Sequence, residues 1–259
     1  MAAKKRSLFA ILTGIFITNA ILAEMIGTKI FSFEKTLGFN PAQLNIFGDY
    51  TLDFNLTAGV LIWPVVFLST DIINEYFGKK GVKNISYFTV ILIAYCFGII
   101  WLSIKLAPAD FWLDVNKDSG SEFNINFAYA RIFGQGVNII IGSLIAFLIG
   151  QLLDAYIFQK IKKVTGQKMV WLRATGSTLV SQLVDSYDVL LVAFYFLVPE
   201  QYKWPLDQVI AVGTINYIYK FFVAVLLTPM VYLGHYLIDK FLGKDLASEM
   251  KNEALLKVD

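Results

Sequence analysis

Apolar residues in this chain run together instead of alternating with polar ones. Six runs emerge, at 7–31, 56–77, 85–107, 134–161, 172–198 and 208–237, each near or above the roughly 20 residues that a helix needs to cross a bilayer core. A backbone in lipid must satisfy its own hydrogen bonds, which leaves helices or a closed barrel. A barrel would need many strands of about ten residues with alternating hydrophobicity, and these runs do not alternate. The pattern predicts an all-α, polytopic membrane protein with six transmembrane helices. Residues 1–242 are expected to form a single transmembrane domain, and 243–259 a short cytoplasmic tail that is helical on the membrane surface. The basic start Met1-Ala-Ala-Lys-Lys-Arg6 is followed by an apolar run without a small-residue cleavage site. That run is too long for the h-region of a signal peptide, so a retained first helix is expected.

The connections set the orientation. Of the 22 Lys and Arg residues, fifteen fall in the two tails and the even-numbered connections (4–6, 79–83, 160–173 and 240–257). Six fall in the odd-numbered connections, and Lys220 lies inside the last run. Positive charge collects on the cytoplasmic side, so both termini are expected there. The outer connections have patterns of their own. Residues 43–47 and 50–56 alternate apolar and polar around Gly48-Asp49, as a small β-hairpin would. The stretch 109–126 is acidic (Asp110, Asp114, Asp118, Glu122) and carries Phe111, Trp112 and Phe123, which suggests an interfacial lid.

Composition agrees and removes several function classes. Hydrophobic residues make up 57% of the chain, charged residues 16%, and mean hydropathy is +0.61; soluble domains carry about 25% charge. A net charge of +2 with no basic patch gives no sign of a nucleic-acid partner. One cysteine, Cys96, and one histidine, His235, support neither a disulfide framework nor a thiolate or histidine metal cluster. No cofactor is expected, and carriage of a small molecule is favoured over an enzymatic role.

Charge within a bilayer costs roughly 2.5–3.5 kcal/mol per residue on insertion scales, so intramembrane polar groups are the candidate site. At 1.5 Å per residue, Asp185 falls near the middle of the fifth run, with Gln182, Ser181 and Ser177 continuing its stripe. Asn19 falls near the middle of the first run and Lys220 near the middle of the sixth, with Asn216 one turn away. These residues, with Glu24 and Trp63, are the candidate substrate-binding group. The alternative is a structural network in which Lys220 neutralises Asp185 or Glu24 and the amides tie helices together. Asp71, Asn74, Glu75, Gln151 and Asp154 form a second group, most of it nearer the cytoplasm, with a gate or coupling role; pairing with the cytoplasmic lysines is the competing role. Asp188 lies one turn outward of Asp185. Pro64 and Pro229 are candidate helix breaks, and Gly59, Gly98, Gly142, Gly213 and Gly234 candidate close-packing positions. One internal echo stands out: Gly150-Gln-Leu-Leu-Asp-Ala-Tyr156 is followed 31 residues on by Ser181-Gln-Leu-Val-Asp-Ser-Tyr187.

Three motifs in order, Ser69-Thr-Asp-Ile-Ile-Asn-Glu-Tyr-Phe-Gly-Lys-Lys80, Ile149-Gly-Gln-Leu-Leu-Asp-Ala-Tyr-Ile-Phe158 and Leu172-Arg-Ala-Thr-Gly-Ser-Thr-Leu-Val-Ser-Gln-Leu-Val-Asp-Ser186, resemble the queuosine precursor transporter family, integral membrane proteins also described as vitamin uptake transporters. The resemblance spans nearly all of the six-run region. It implies import across the bacterial inner membrane of 7-deazaguanine bases (the 7-cyano or 7-aminomethyl form, or queuine) for tRNA modification. The residues suit such a purine-like ligand. A carboxylate accepts the N–H donors of a guanine-like edge, and an amide or ammonium donates to its carbonyl; Trp63, Tyr187 or Tyr217 would stack on the ring. Two further readings stand beside this one: the substrate-binding subunit of an energy-coupling vitamin importer, since no Walker motif is present, and a membrane enzyme. Glycine-rich helix faces permit a homodimer without requiring one.

Overall fold

The computed structural model describes residues 1–47, 50–114, 123–134, 136–166 and 168–256. The chain opens with α1 (Ala2–Ile26) and passes into a segment of short elements: β1 (Ile30–Ser32), α2 (Phe33–Thr36), β2 (Leu44–Phe47), β3 (Tyr50–Leu52) and β4 (Asn55–Thr57). A 3-10 turn at Ala58–Leu61 leads into α3 (Trp63–Ile104). Beyond α3 come α4 (Asp110–Leu113), α5 (Ile125–Phe133), α6 (Val137–Thr165) and α7 (Val170–Leu191), which ends in a π-helical turn at Val192–Phe196. The chain finishes with α8 (Leu206–Leu242) and α9 (Lys244–Leu256).

Among the described residues, five helical stretches are long and apolar enough to cross a membrane: α1, α3, the stretch Ile125–Thr165 that holds α5 and α6, α7 with its π turn, and α8. The difference between five here and six runs in the sequence lies in α3. Its 42 residues would reach about 63 Å if straight, twice a bilayer core, and it is broken at Gly78 (φ 71°, ψ −178°). That backbone region is essentially restricted to glycine. A Cβ at Gly78 would also come within 3.2 Å of the Ala254 carbonyl oxygen, so α9 is seated in the break. Leu246, Ala247, Met250 and Ala254 of α9 are buried, which makes this helix part of the packed body.

The helices pack in the order α1, α3, α6, α7, α8, with α8 closing back on α3. The core follows from that order: Leu12 and Phe16 of α1 meet Val66, Ile73 and Ile93 of α3 and Phe147 of α6. The outward faces are as apolar as the core. Leu226 is 75% exposed and Ile91 64%, as lipid-facing positions should be. Of the close-packing glycines, Gly213 admits the Tyr187 ring, since a Cβ there would sit 2.6 Å from it, and Gly59, Gly142 and Gly234 are similarly crowded. Gly98 has nothing within 4 Å and is not a packing position. Pro64 lies in the first turn of α3, where no helical bond is lost, and Pro229 sits inside a continuous α8.

The expected hairpin is present as β2 paired antiparallel with β3, with a bulge between Asn45 and Phe47; its tip, Gly48-Asp49, lies outside the described residues. A second ladder, β1 with β4, was not signalled by any alternation. Glu34 ties this cap of short elements together: its Oε1 accepts from the Phe54 N–H (2.8 Å) and the Ala42 N–H (3.4 Å), and its Oε2 from Ser32 Oγ (3.0 Å). Burial pushes the Glu34 carboxyl up, but these hydrogen bonds outweigh it and hold its pKa below the usual value. The acidic connection is described only in part, with Asp118 and Glu122 outside the described residues. Trp112 packs edge-on against Tyr129 there, and Tyr129 OH meets Ser103 Oγ at 2.9 Å.

Candidate functional site

Between α1, α3, α6, α7 and α8, beneath β4, lies a cavity of about 360 Å³, within the range of small-molecule sites. Its polar lining converges from four helices: Glu24 on α1, Ser143 and Gln151 on α6, Thr178, Gln182 and Asp185 on α7, and Asn216 and Lys220 on α8. Its walls are aromatic. Trp63 stacks on Phe67 (centroids 5.9 Å, 17°) and tilts against Phe147 (5.7 Å). At one end the Phe194–Trp204 stack (4.3 Å, 16°) closes over it beside Ile30, Asn55 and Thr57. None of the described residues of the acidic connection at 109–126 lines the cavity; the roof comes from β4 and the Trp204 loop instead.

Lys220 Nζ donates to Asp185 Oδ2, joining α8 to α7 inside the cavity. Both side chains keep about a fifth of their surface open, 23% for Lys220 and 22% for Asp185. The pair is therefore presented to the cavity as well as satisfied. Gly150 on α6 faces the Asp185 side chain, and a Cβ there would sit at ordinary contact distance, 3.6 Å, from it. Across the cavity, Ser143 Oγ donates to Glu24 Oε2 at 3.0 Å, so a second carboxylate is held in place on α1. The Gln182 side-chain oxygen is buried without a hydrogen-bond partner among the described residues.

Six of the seven residues expected to bind substrate thus line one cavity: Asp185, Gln182, Asn216, Lys220, Glu24 and Trp63. Asn19 does not. Its amide donates back to the Ile15 carbonyl of its own helix at 2.8 Å, a local bond that asparagine readily makes. Tyr187 and Tyr217 do not line the cavity either, and the Tyr187 hydroxyl meets Thr214 Oγ1 at 3.0 Å. Phe67, Phe147, Phe194 and Trp204 supply the aromatic surface instead. Trp204 belongs to a connection outside the apolar runs, where no pattern in the sequence marked it.

The second group divides. Gln151 lines the cavity and accepts from Thr70 Oγ1 at 2.8 Å. Asn74 is a tie between α3 and α6: its amide donates to the Ala155 carbonyl (3.2 Å), and Gln159 donates to its Oδ1 (2.7 Å) and carbonyl (2.8 Å). Glu75 is fully buried. Arg173 grips it with two bonds, Nε to Oε2 at 3.0 Å and Nη2 to Oε1 at 2.9 Å, while Lys162 approaches Oε2 at 3.3 Å. Arg173 and Lys162 are each 1% exposed. Both belong by sequence to the basic connection between the fourth and fifth runs, and nothing in their spacing marked them as interior. Asp71 and Asp154 lie beside Thr178 of the cavity lining, as described below.

A family model described as "Putative vitamin uptake transporter" matches residues 57–234, the stretch that holds α3, α6, α7 and most of α8. The chain belongs to this family. Among curated proteins, it is 28% identical over 203 residues to a "Probable queuosine precursor transporter" of Bacillus subtilis, with 76% of this chain and 80% of that protein covered. It is 24% identical to the protein of the same description in Haemophilus influenzae (77% and 75% covered) and 26% identical to the "Queuosine precursor transporter" of Escherichia coli (56% and 58% covered). No solved structure matches the chain. Kinship and architecture together make this a multi-pass transporter of the bacterial inner membrane; most of its cavity lining falls in the stretch that the family model matches, with Glu24 and its neighbours on α1 and residues 30, 55 and 56 outside it.

Proposed function

We propose that this transporter imports a queuosine precursor, a flat 7-deazaguanine base, and that the base is bound in the cavity between α1, α7 and α8. The observation that carries the reading is the Asp185–Lys220 pair facing an aromatic-walled cavity. A guanine-like edge offers N–H donors beside a carbonyl acceptor. Asp185 accepts from the first, Lys220 and Asn216 donate to the second, and the free Gln182 oxygen takes a further N–H. The ring lies against Trp63 or Phe147, where stacking adds to affinity without choosing among related bases. Glu24, held by Ser143, faces the remaining edge. The kinship to proteins named for queuosine precursors supports the substrate class.

The cytoplasmic bias of Lys and Arg supports six spans with both termini inside, α3 supplying two of them on either side of Gly78. In that orientation the Trp204 end of the cavity faces outward. The test is queuosine in tRNA from a host unable to make or import the base, fed a 7-deazaguanine precursor with and without this gene. Restored queuosine that disappears in Asp185→Asn, with the protein still inserted, supports substrate and site together. Absence of restoration by the 7-cyano base, the 7-aminomethyl base and queuine would remove the proposed substrate class.

A further inference from the structure

Beside Thr178, a residue of the cavity lining, two carboxyl groups are buried. Asp71 on α3 is 4% exposed and Asp154 on α6 is 6% exposed, and Thr178 of α7 stands beside both, donating to Asp154 Oδ1 and lining the small cavity that reaches Asp71. Asp154 Oδ1 accepts weak bonds from Ser181 Oγ (3.3 Å) and Thr178 Oγ1 (3.4 Å), both on α7. Asp154 Oδ2 and Asp71 Oδ1 are buried and have no hydrogen-bond partner among the described residues. An ionised carboxylate oxygen left this way is costly. One proton on this pair makes an O–H donor where there were only acceptors, and relieves the arrangement.

Charge balance points the same way. The charged groups around the pair are Glu75 on α3, gripped by Arg173 on α7 and Lys162 on α6. That trio carries one positive charge in excess. If Asp71 and Asp154 were both ionised, the buried set would carry one uncompensated negative charge; with one proton between them it is neutral, the state a low-dielectric interior favours. From α7 the pair also meets the neutral Ser177, Thr178 and Ser181. From α8 the small cavity at Asp71 is lined only by the apolar Ala224, Leu227 and Val231. His235 on α8 lies apart, against Tyr76.

The pair is also linked to the substrate cavity. A second, much smaller cavity of about 10 Å³ reaches Asp71 and shares Phe67, Thr178 and Ala224 with the large one. Thr178 therefore faces the substrate cavity and donates to Asp154. One helical turn toward the outside, Gln182 and Gln151 line the cavity floor. The internal echo of α6 and α7 sends its two aspartates to different places, Asp185 into the cavity and Asp154 beside Thr178 of its lining.

We infer that Asp71 and Asp154 form the proton-binding site of this transporter, loaded from the outer side through the cavity and emptied to the cytoplasm, so that one proton accompanies each substrate inward. The inference rests on the proposed base transport, and its step is simple: an O–H bond forms on the carboxyl pair with a proton from the outer solution, and the same proton leaves to the inner solution. Substrate over Thr178 and Gln182 seals the pair from the outer side, which ties release of the proton to passage of the base.

The experiment uses the full chain reconstituted in liposomes, with a labelled 7-deazaguanine base and membrane potential clamped at zero. Counterflow, the exchange of labelled base outside for unlabelled base inside, reads transport without a gradient. Accumulation under an inside-alkaline pH gradient reads coupling. One proton per base supports about tenfold accumulation per pH unit. Wild type should accumulate the base; Asp71→Asn and Asp154→Asn should keep counterflow and lose accumulation, whereas Asp185→Asn should lose both. Accumulation by both Asn variants equal to wild type, accumulation driven by sodium alone, or counterflow with no accumulation under any gradient would each overturn the proton site while leaving base transport intact. Absence of counterflow in wild type would instead sink the transport reading. Infrared difference spectra of the detergent-solubilised protein supply a readout that does not depend on transport: a buried protonated carboxyl band present in wild type should vanish in Asp154→Asn, and its persistence in both Asn variants counts against the assignment.

Discussion

Lys220 on α8 closes onto Asp185 on α7 in the wall of the cavity, and both lie well inside their helices. A structural ion pair would be expected to disappear into packing on all sides. This one keeps an open face toward Trp63, Gln182 and Asn216. Its strength is moderated by that exposure, which suits the role proposed for the pair, exchange of its bonds with an incoming base.

Asp185→Asn removes the charge-assisted acceptor and keeps the shape. Loss of a hydrogen bond to a charged group costs about 1.5–3 kcal/mol, so the dissociation constant for a 7-deazaguanine base should rise by about ten- to a hundredfold. Titration calorimetry on the purified protein measures this. The charge-swapped double variant Asp185→Lys with Lys220→Asp should recover thermal stability relative to either single change but not binding. Recovery of binding in the swap would mean that the pair is structural and the base is read elsewhere.

Glu75 has the opposite character. Its carboxylate has no exposure and holds two buried cations, so Glu75→Gln leaves Arg173 and Lys162 without their counter-charge. Breaking a buried pair from one side costs about 3–5 kcal/mol. We expect a large fall in melting temperature in detergent and little folded protein in the membrane. Arg173→Lys should also destabilise the protein, because a lysine cannot reproduce the two-pronged grip or the bonds to the Gly166 and Lys168 carbonyls. Wild-type stability in Glu75→Gln would show that the trio is dispensable and weaken the charge balance argued for Asp71 and Asp154.

Much of this arrangement was legible in the sequence, for particular reasons. Asp185, Lys220, Asn216 and Gln182 could be brought to one depth because each lies a countable distance inside an apolar run and the helix rise is fixed. Depth does not fix direction, however. Asn19 shares that depth and satisfies itself within α1. Charge counting grouped Arg173 and Lys162 with the basic connection between the fourth and fifth runs, but a long side chain can reach back into the helix packing, and only the packing of α3 against α6 and α7 reveals Glu75 at the end of both. The break in α3 was marked by glycine and two lysines, without any sign that α9 would fill it. The roof of the cavity was least legible, because Trp204 and the β1–β4 ladder are held by contacts distant in sequence.

Gly78 and Gly98 lie in the same helix and predict opposite results. Alanine at Gly78 meets a backbone region closed to it and the Ala254 carbonyl at 3.2 Å, costing about 1–3 kcal/mol and loosening α9. Lys5, which bonds Glu249 of α9 at 2.8 Å, and Lys251, which bonds Asp239 of α8 at 2.8 Å, would limit but not prevent this release. Limited proteolysis should cut Gly78→Ala before α9 at a protease level that spares wild type. Alanine at Gly98 meets nothing within 4 Å and should stabilise α3 by about 0.5–1 kcal/mol, with transport unchanged. Equal thermal shifts for the two variants would contradict both assignments.

The cap of short elements should respond to acid through Glu34. Its pKa is held below the ordinary value of 4.5 by the Phe54 and Ala42 N–H groups and the Ser32 hydroxyl, which together outweigh the effect of burial. A carboxylate with a folded pKa below its unfolded one stabilises the folded form fully above the unfolded value. That stabilisation is lost as pH falls through the lower folded value. At neutral pH the cap is therefore held closed, and below about pH 4.5 it progressively loses this contribution, since protonation removes the charge that the two N–H groups and the hydroxyl stabilise. Hydrogen exchange at the Phe54 amide, corrected for the intrinsic pH dependence of exchange, should lose protection as the solution is acidified through this range, while amides in the middle of α7 keep theirs. Glu34→Gln keeps an oxygen for Phe54 but carries no charge, so its protection should be lower at neutral pH and flat across the acid range. A pH-dependent loss of the same size in Glu34→Gln would assign the effect to another group.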